Sequence, residues 1–408
     1  MDNYTIRFSS PPKDISIKLN ASKSESNRLI IIKALSEEKI EIKNLSNAND
    51  TLLLNNLIKN NLSSNWDAED AGTSMRFLTS YLSLKKDNIV LTGTDRMKKR
   101  PIKILVDVLN KIGATILYQG EQGYPPINIK NKIFQKNSKV KIRGDVSSQY
   151  ISSLLLIAPK LKDGIEINIT KPFYSKPYVK MTLRLMEFFG VKYKFDNYQI
   201  NIKNQDYKGG SYSVESDWSA ASYWYSILSI NKNIQKIKLL GLKNNSLQGD
   251  QIISKIMSLI GINTTYNKNG IEISKKNTLC DYIELDFKDC PDLVQTVLVV
   301  AAYHKIKLKI YGVESLKIKE TDRLKAMKNE LNKIGVRFYE KGDFWILERR
   351  ENKFPTSVSI DTYKDHRMAM AFAPLASELN ISINDPKVVN KSYPMFWDDM
   401  KKAGYSIT

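Results

Sequence analysis

A repeated local pattern limits the architectures open to this chain. A polar or acidic loop, rich in Ser and Thr, runs directly into an apolar helical stretch, and the pattern recurs along the 408 residues. It occurs as Ser22-Lys-Ser-Glu-Ser-Asn-Arg28 before Leu29 to Leu35, and as Asp70-Ala-Gly-Thr-Ser-Met-Arg76 before Phe77 to Leu82. It returns at Asp145-Val-Ser-Ser-Gln149, Asp217-Trp-Ser-Ala-Ala-Ser222, Pro291-Asp292 and Asp365-His-Arg367. The Asp anchors at 70, 145, 217, 292 and 365 are 75, 72, 75 and 73 residues apart; only the interval from 22 to 70 is short, at 48. Self-similarity at a fixed period signals one structural unit used several times.

A second pattern interleaves with the first. A strand leads through a polar turn into an amphipathic helix that ends near Gly, as in Ile89 to Gly113, Leu239 to Gly261 and Ile310 to Gly335. From Thr321 to Ile334, the residues Leu324, Met327, Leu331 and Ile334 form one stripe of a helix. Short β-rich runs follow, such as Val191 to Ile202 and Val336 to Leu347. Each unit of about 73 residues therefore predicts two helices and about four short strands, an α/β fold. Six units, three per domain, account for the length, and the first is expected to lack a strand pair. No Pro/Gly/Ser-rich linker separates the halves, so short crossings are expected between the domains.

Composition narrows the function classes. The chain carries 63 Lys+Arg against 43 Asp+Glu, a net charge of +20, which favours anionic partners. Most of that surplus is Lys spread along the chain and reads as compositional drift; the twelve Arg are more informative, because a bidentate fork is not replaced by Lys. A nucleic-acid-binding protein would need clustered Lys with stacking aromatics and a recognisable module, and none is present in the sequence. Two cysteines, Cys280 and Cys290, cannot build a disulfide framework or a four-ligand zinc site, and buried, inert thiols are expected. Two histidines, His304 and His366, leave no histidine-rich metal site. Met1 to Lys13 is polar, without the apolar core of a signal peptide, and apolar runs such as Val297 to Tyr303 are too short to cross a bilayer. A soluble protein in a reducing compartment is expected.

The loops that open the helices are the candidate sites. A helix N-terminus offers unpaired N–H groups and a positive dipole end, suited to phosphate or carboxylate. Ser, Thr and Asp at such positions also cap helices routinely, so each loop alone is ambiguous. The cations shift the balance. Lys98-Lys99-Arg100-Pro101 is expected to start a helix, where positive charge opposes the dipole. Thr321 and Asp322 fit a capped helix start, but Lys319 and Arg323 beside them do not. What remains is acid–base chemistry by carboxylate and lysine among cations that hold anions.

Taken in order, these motifs resemble one family. The stretches are Lys23-Ser-Glu-Ser-Asn-Arg28, Ala71-Gly-Thr-Ser-Met-Arg76, Arg96-Met-Lys-Lys-Arg-Pro101, Tyr124-Pro-Pro126, Ser147-Ser-Gln149 and Ser175-Lys-Pro-Tyr178. They continue through Asn245-Ser-Leu-Gln-Gly-Asp250, Pro291-Asp292, Lys319-Glu-Thr-Asp-Arg323, Asp365-His-Arg-Met368 and Asp385-Pro-Lys387. The chain resembles the 3-phosphoshikimate 1-carboxyvinyltransferase family of enolpyruvyl transferases over essentially its whole length. The resemblance implies a two-domain, inside-out α/β barrel fold of six βαβαββ-type repeats, three per domain. It also implies domains of residues 19–216 and of 1–18 with 217–408, with the active site in the cleft between them.

The implied reaction is transfer of the enolpyruvyl group of phosphoenolpyruvate to the 5-hydroxyl of shikimate 3-phosphate, on the pathway to chorismate and the aromatic amino acids. By the same resemblance, shikimate 3-phosphate is expected at Lys23, Ser24, Arg28, Ser147, Ser148, Gln149, Ser175, Asp292 and Lys319. Phosphoenolpyruvate is expected at Lys23, Gly72, Arg100, Gln149, Arg323, Arg367 and Lys391. Asp292 is expected to act as base toward the hydroxyl, with Glu320 and Lys23 sharing proton traffic at the methylene carbon. No cofactor and no metal are implied. A cytoplasmic monomer with small-molecule substrates, and neither nucleic-acid nor membrane partners, is expected, as is a target for glyphosate. The sister transferase acting on a UDP-amino sugar carries a reactive Cys in its first domain, whereas Cys280 and Cys290 both fall in the second half.

Several positions depart from the family pattern. Asn20-Ala21 replace a usual Pro-Gly, Asp70 a common Asn, and Phe77 a common Pro. Ser315 stands where an Asn often contacts the acceptor and is not assigned. Asp70 is expected to find a cation or N–H partner, since a lone carboxylate beside an anion site would be costly.

Overall fold

A computed structural model describes residues 2–59, 63–85, 87–276, 280–349 and 353–408. The chain divides into two compact units, Met1–Ala21 with Glu215–Thr408, and Ser22–Val214.

In each unit, three of the described helices are buried on nearly every side, by apolar residues together with small hydroxyl residues and a few charged ones. In Ser22–Val214 they are Lys23–Leu35, Gly72–Lys85 and Ser148–Ile157, which pack on one another. In the other unit they are Trp218–Ile230, Val294–Tyr303 and His366–Phe372, again in mutual contact. Each begins at one of the recurring polar loops, so the repeat delivers one buried helix N-terminus per unit of sequence. Outer helices such as Lys103–Ile112, Lys176–Phe188 and Arg323–Lys333 bury a single stripe.

The sheets repeat as faithfully as the helices. Five four-stranded sheets share one plan: a parallel pair, extended by two antiparallel strands. Tyr282–Asp286 runs parallel to Lys307–Tyr311, which pairs antiparallel with Phe344–Arg349 and that in turn with Val336–Lys341. Asn65–Asp67 with Ile89–Thr92, and Lys139–Arg143 with Ile165–Thr170, begin sheets of the same kind. The sixth sheet has the parallel pair alone, Gly210–Ser213 with Ile40–Lys43. Among the described residues the shortened first repeat therefore shows no antiparallel hairpin, as its 48-residue interval predicts.

One sheet is closed by residues distant in sequence. Asn3–Phe8 lies between Asn380–Asn384 and Tyr405–Ile407, antiparallel to both. Ser16–Lys18 likewise starts the sheet of Lys236–Leu240. Among the described residues no helix is long and apolar enough to cross a membrane.

Two local expectations are corrected. The cations Lys98 to Arg100 do not start a helix: they follow or lie in a 3-10 turn, Met97–Lys99, and the helix begins at Lys103. Pro101 disfavours α geometry in the residue before it, and Arg100 is extended at φ −98°, ψ 123°. Cys280 is only partly buried; Cys290 is buried, and its thiol is pushed far up, first by burial and then by neighbouring carboxylates.

Candidate active site

In the unit Ser22–Val214, polar groups collect at the starts of the buried helices. The Ser22 hydroxyl accepts from the Glu25 N–H at 3.4 Å and caps Lys23–Leu35, which puts Lys23, Ser24 and Arg28 on its first two turns. Lys23 Nζ lies 2.9 Å from Asp50 Oδ2, on the first turn of Asn49–Lys59. Arg28 is buried, with Nε donating to Thr182 Oγ1 at 2.7 Å and Nη1 to the Ser24 carbonyl at 2.7 Å. Its Nη2 donates to Ser152 Oγ at 3.2 Å and to the Tyr178 carbonyl at 3.3 Å. Burial brings its pKa down to about 10.

Gly72 opens the second buried helix, and here a side chain cannot fit. A Cβ would stand 2.6 Å from both Nη atoms of Arg100, so the absence of one lets the guanidinium lie against the helix start. Arg100 is buried, its Nη1 reaches the Asp70 carbonyl at 3.5 Å, and its Nε has no partner among the described residues. Asp70 accepts from the Thr94 hydroxyl. Ser147 caps Ser148–Ile157 through the Gln149 N–H at 3.2 Å. The Gln149 side chain donates to Thr73 Oγ1 at 3.1 Å, joining the starts of two buried helices. Ser175 precedes Lys176–Phe188 with a left-handed φ of 55° and forms no side-chain cap.

In the other unit, carboxylates and guanidinium forks interlock. Asp292 is not a helix cap: it sits inside a 3-10 turn, Pro291–Leu293, that leads into Val294–Tyr303. Pro291 at the first position has no N–H to be capped, which leaves the carboxylate for other partners. Its Oδ1 is 2.9 Å from Arg323 Nη1 and its Oδ2 2.9 Å from Arg367 Nη2. Arg367 Nη1 also donates to the Asp292 carbonyl at 3.1 Å and to the Tyr223 hydroxyl at 3.3 Å. Arg323 donates further to Glu320 Oε2 at 2.9 Å and to Asp365 Oδ2 at 2.7 Å. Asp365 also caps His366–Phe372 through the Arg367 N–H at 2.9 Å.

This pairing sets the charge states. Burial alone would raise the Asp292 pKa, but Arg367, Lys319 and Arg323 outweigh it and hold the carboxyl well below the usual range. Asp250, buried and accepting from the Ser219 hydroxyl, is pushed above the usual carboxylate range by burial and then by the Asp292 charge. Lys319 ends the turn Glu314–Ile318 in extended conformation. Lys391 ends the turn Pro386–Lys391, which packs on His366–Phe372.

Most of the sequence-predicted residues of each unit lie at or near helix starts, whereas Arg100, Lys319 and Lys391 lie at the ends of 3-10 turns. Lys23, Ser24 and Arg28 share one helix, Gly72 meets Arg100, and Gln149 reaches the same helix start. Asp292, Glu320, Arg323 and Arg367 form one bonded group, with Lys319 close enough to shift Asp292. Sequence reading missed Asp50, Thr73, Tyr223 and the linking role of Asp365. Asp365 carried a signal, as an Asp anchor before an apolar helix; the others carried none, because their partners are distant in sequence. Chemically, the arrangement offers forks for phosphate and carboxylate, and carboxylates to move protons among them.

Solved structures place the fold. The chain matches EPSP synthase from Acinetobacter baumannii with a TM-score of 0.79 at 22% identity, covering all of both chains. The chain therefore has the mixed α/β fold of that structure. Residues 58–400 match the model of the EPSP synthase (3-phosphoshikimate 1-carboxyvinyltransferase) family. A 3-phosphoshikimate 1-carboxyvinyltransferase of Bacteroides fragilis is 44% identical over 397 residues, covering 96% of this chain and 95% of that protein. One from Haemophilus influenzae is 35% identical over 418 residues, covering 95% of each. The chain belongs to the EPSP synthase family.

Proposed function

We propose that this chain transfers the carboxyvinyl group of phosphoenolpyruvate to the 5-hydroxyl of shikimate 3-phosphate, releasing phosphate, as a step of the shikimate pathway. The observation that carries this reading is the group Asp292, Arg323, Arg367 and Glu320, in which two guanidinium forks surround one carboxylate. A donor with a phosphate and a carboxylate asks for two such forks, and an acceptor hydroxyl asks for a base between them.

The acceptor is assigned to Lys23, Ser24, Arg28, Ser147, Ser148, Gln149, Ser175, Asp292 and Lys319. The donor is assigned to Lys23, Gly72, Arg100, Gln149, Arg323, Arg367 and Lys391. Asp292 takes the 5-hydroxyl proton as that hydroxyl's oxygen bonds to C2 of phosphoenolpyruvate, the carbon that carries the phosphate. Glu320 or Lys23 delivers a proton to C3, giving a tetrahedral intermediate. Loss of a C3 proton then expels phosphate and restores the double bond, so no electrons enter or leave and no cofactor is consumed. The enzyme is read as a cytoplasmic monomer.

The test is phosphate release. One phosphate per shikimate 3-phosphate consumed is expected with phosphoenolpyruvate, and none when UDP-N-acetylglucosamine replaces the acceptor; phosphate only with the UDP-sugar would overturn the reading. A second expectation concerns Gly72→Ala. Its methyl would occupy the place of the Arg100 guanidinium, and the KM for phosphoenolpyruvate is expected to rise tenfold or more, given the sensitivity of such sites to shifts of about 1 Å. An unchanged KM would remove Arg100 from the donor site.

A further inference from the structure

Arg28 differs from Arg323 and Arg367 in how its charge is held. Arg323 is bonded to three carboxylates, whereas all four hydrogen-bond partners of Arg28 are neutral: two hydroxyls and two carbonyls. Only 3% of Arg28 is exposed. A buried guanidinium without a bonded anion is costly and needs other support. The nearby Glu25 charge gives part of it without a bond to the guanidinium, and the ring of Phe77, itself 1% exposed, adds to it, with its centroid 5.5 Å from Arg28 Cζ. At that separation the negative face of an aromatic ring attracts a cation, most strongly where both are desolvated.

We propose that Phe77 is a positioning residue for Arg28 and, through it, sets the affinity for the anionic acceptor. The inference rests on the assignment of Arg28 to shikimate 3-phosphate. A guanidinium has five N–H donors, and four bonds are made within the protein, leaving an Nη1 N–H for an incoming anion. Thr182, Ser152 and the two carbonyls fix the fork at its edges, and the ring adds a contact that steadies the cation while leaving its charge unneutralised. Phe77 stands on Gly72–Lys85, a different helix from Arg28, so it also ties acceptor binding to the helix that starts at Gly72.

The experiment replaces Phe77 by phenylalanines of increasing ring fluorination, which weaken and then reverse the ring's quadrupole with little change of shape. The KM for shikimate 3-phosphate is expected to rise stepwise, about five- to thirtyfold across the series, the range of a desolvated cation–π contact. The KM for phosphoenolpyruvate and the melting temperature should change little. Phe77→Leu should raise the same KM, and Arg28→Lys is measured alongside. A flat series with a raised KM in Arg28→Lys overturns the role of Phe77 and leaves the acceptor assignment standing. An unchanged KM in Arg28→Lys overturns the assignment itself. A series that lowers the melting temperature without moving the KM marks Phe77 as packing only.

Discussion

Asp292→Asn is expected to lower turnover at neutral pH by about two orders of magnitude or more, the usual scale for a general acid–base group. The amide is the same size as the carboxylate and can still accept from one guanidinium, so the turn Pro291–Leu293 and the neighbouring forks should persist. What disappears is the ability to take a proton. With Arg323 and Arg367 each 2.9 Å from its oxygens, Asp292 is a weak base in this arrangement. A phosphate and a carboxylate arriving at the same guanidiniums would compete with Asp292 for them and raise its basicity as the donor binds. The variant should therefore bind phosphoenolpyruvate at least as tightly as the native protein while losing turnover. Calorimetry and single-turnover phosphate release read the two separately. Turnover within a few-fold of native would exclude Asp292 as the base.

Arg323→Met carries the largest expected stability effect. Arg323 is buried and bonded to Asp292, Glu320 and Asp365, and taking one partner from a buried ionic group costs about 3–5 kcal/mol. The cost should depend on pH. The Asp292 pKa is depressed in the folded protein, so its contribution is present above the unfolded carboxylate value, about 3.9, and fades as pH falls below it. In the variant Asp292 loses one of the cations that hold its pKa down, so protonation relieves the penalty at a higher pH than in the native protein. Denaturant midpoints of native and variant should differ most near pH 7 and converge toward pH 4.5. A gap that stays constant over that range would show that lost packing, rather than charge, accounts for it.

The repeat made much of the fold readable from sequence. The Asp anchors recur because each sits before a helix built mostly of apolar and small residues, which suits it for burial. The missing hairpin was legible for the same reason, as a shortfall in length between two anchors. Helix starts were less secure: Lys98 to Arg100 looked like one, yet Pro101 forced Arg100 into an extended geometry and moved the start to Lys103. Residue types in the candidate site followed from charge and from family motifs, but bonded partners did not. Thr182 lies 154 residues from Arg28, and Asp365 lies 42 from Arg323. A local pattern encodes where a helix begins, whereas a hydrogen bond between two helices depends on how they pack.

The sheet built around Asn3–Phe8 has a consequence for synthesis on the ribosome. That strand emerges first, yet its neighbours Asn380–Asn384 and Tyr405–Ile407 emerge last. At about 5–20 residues per second it waits roughly 20–75 s with both edges unpaired. Ser16–Lys18 waits as well, until Lys236–Leu240 appears. The strands of Ser22–Val214, in contrast, find every partner inside that stretch. This unit can finish folding while the rest is still being made, and the leading strands must stay soluble meanwhile. Arg7 and Lys18 place charge on them, a common guard against premature edge-to-edge pairing.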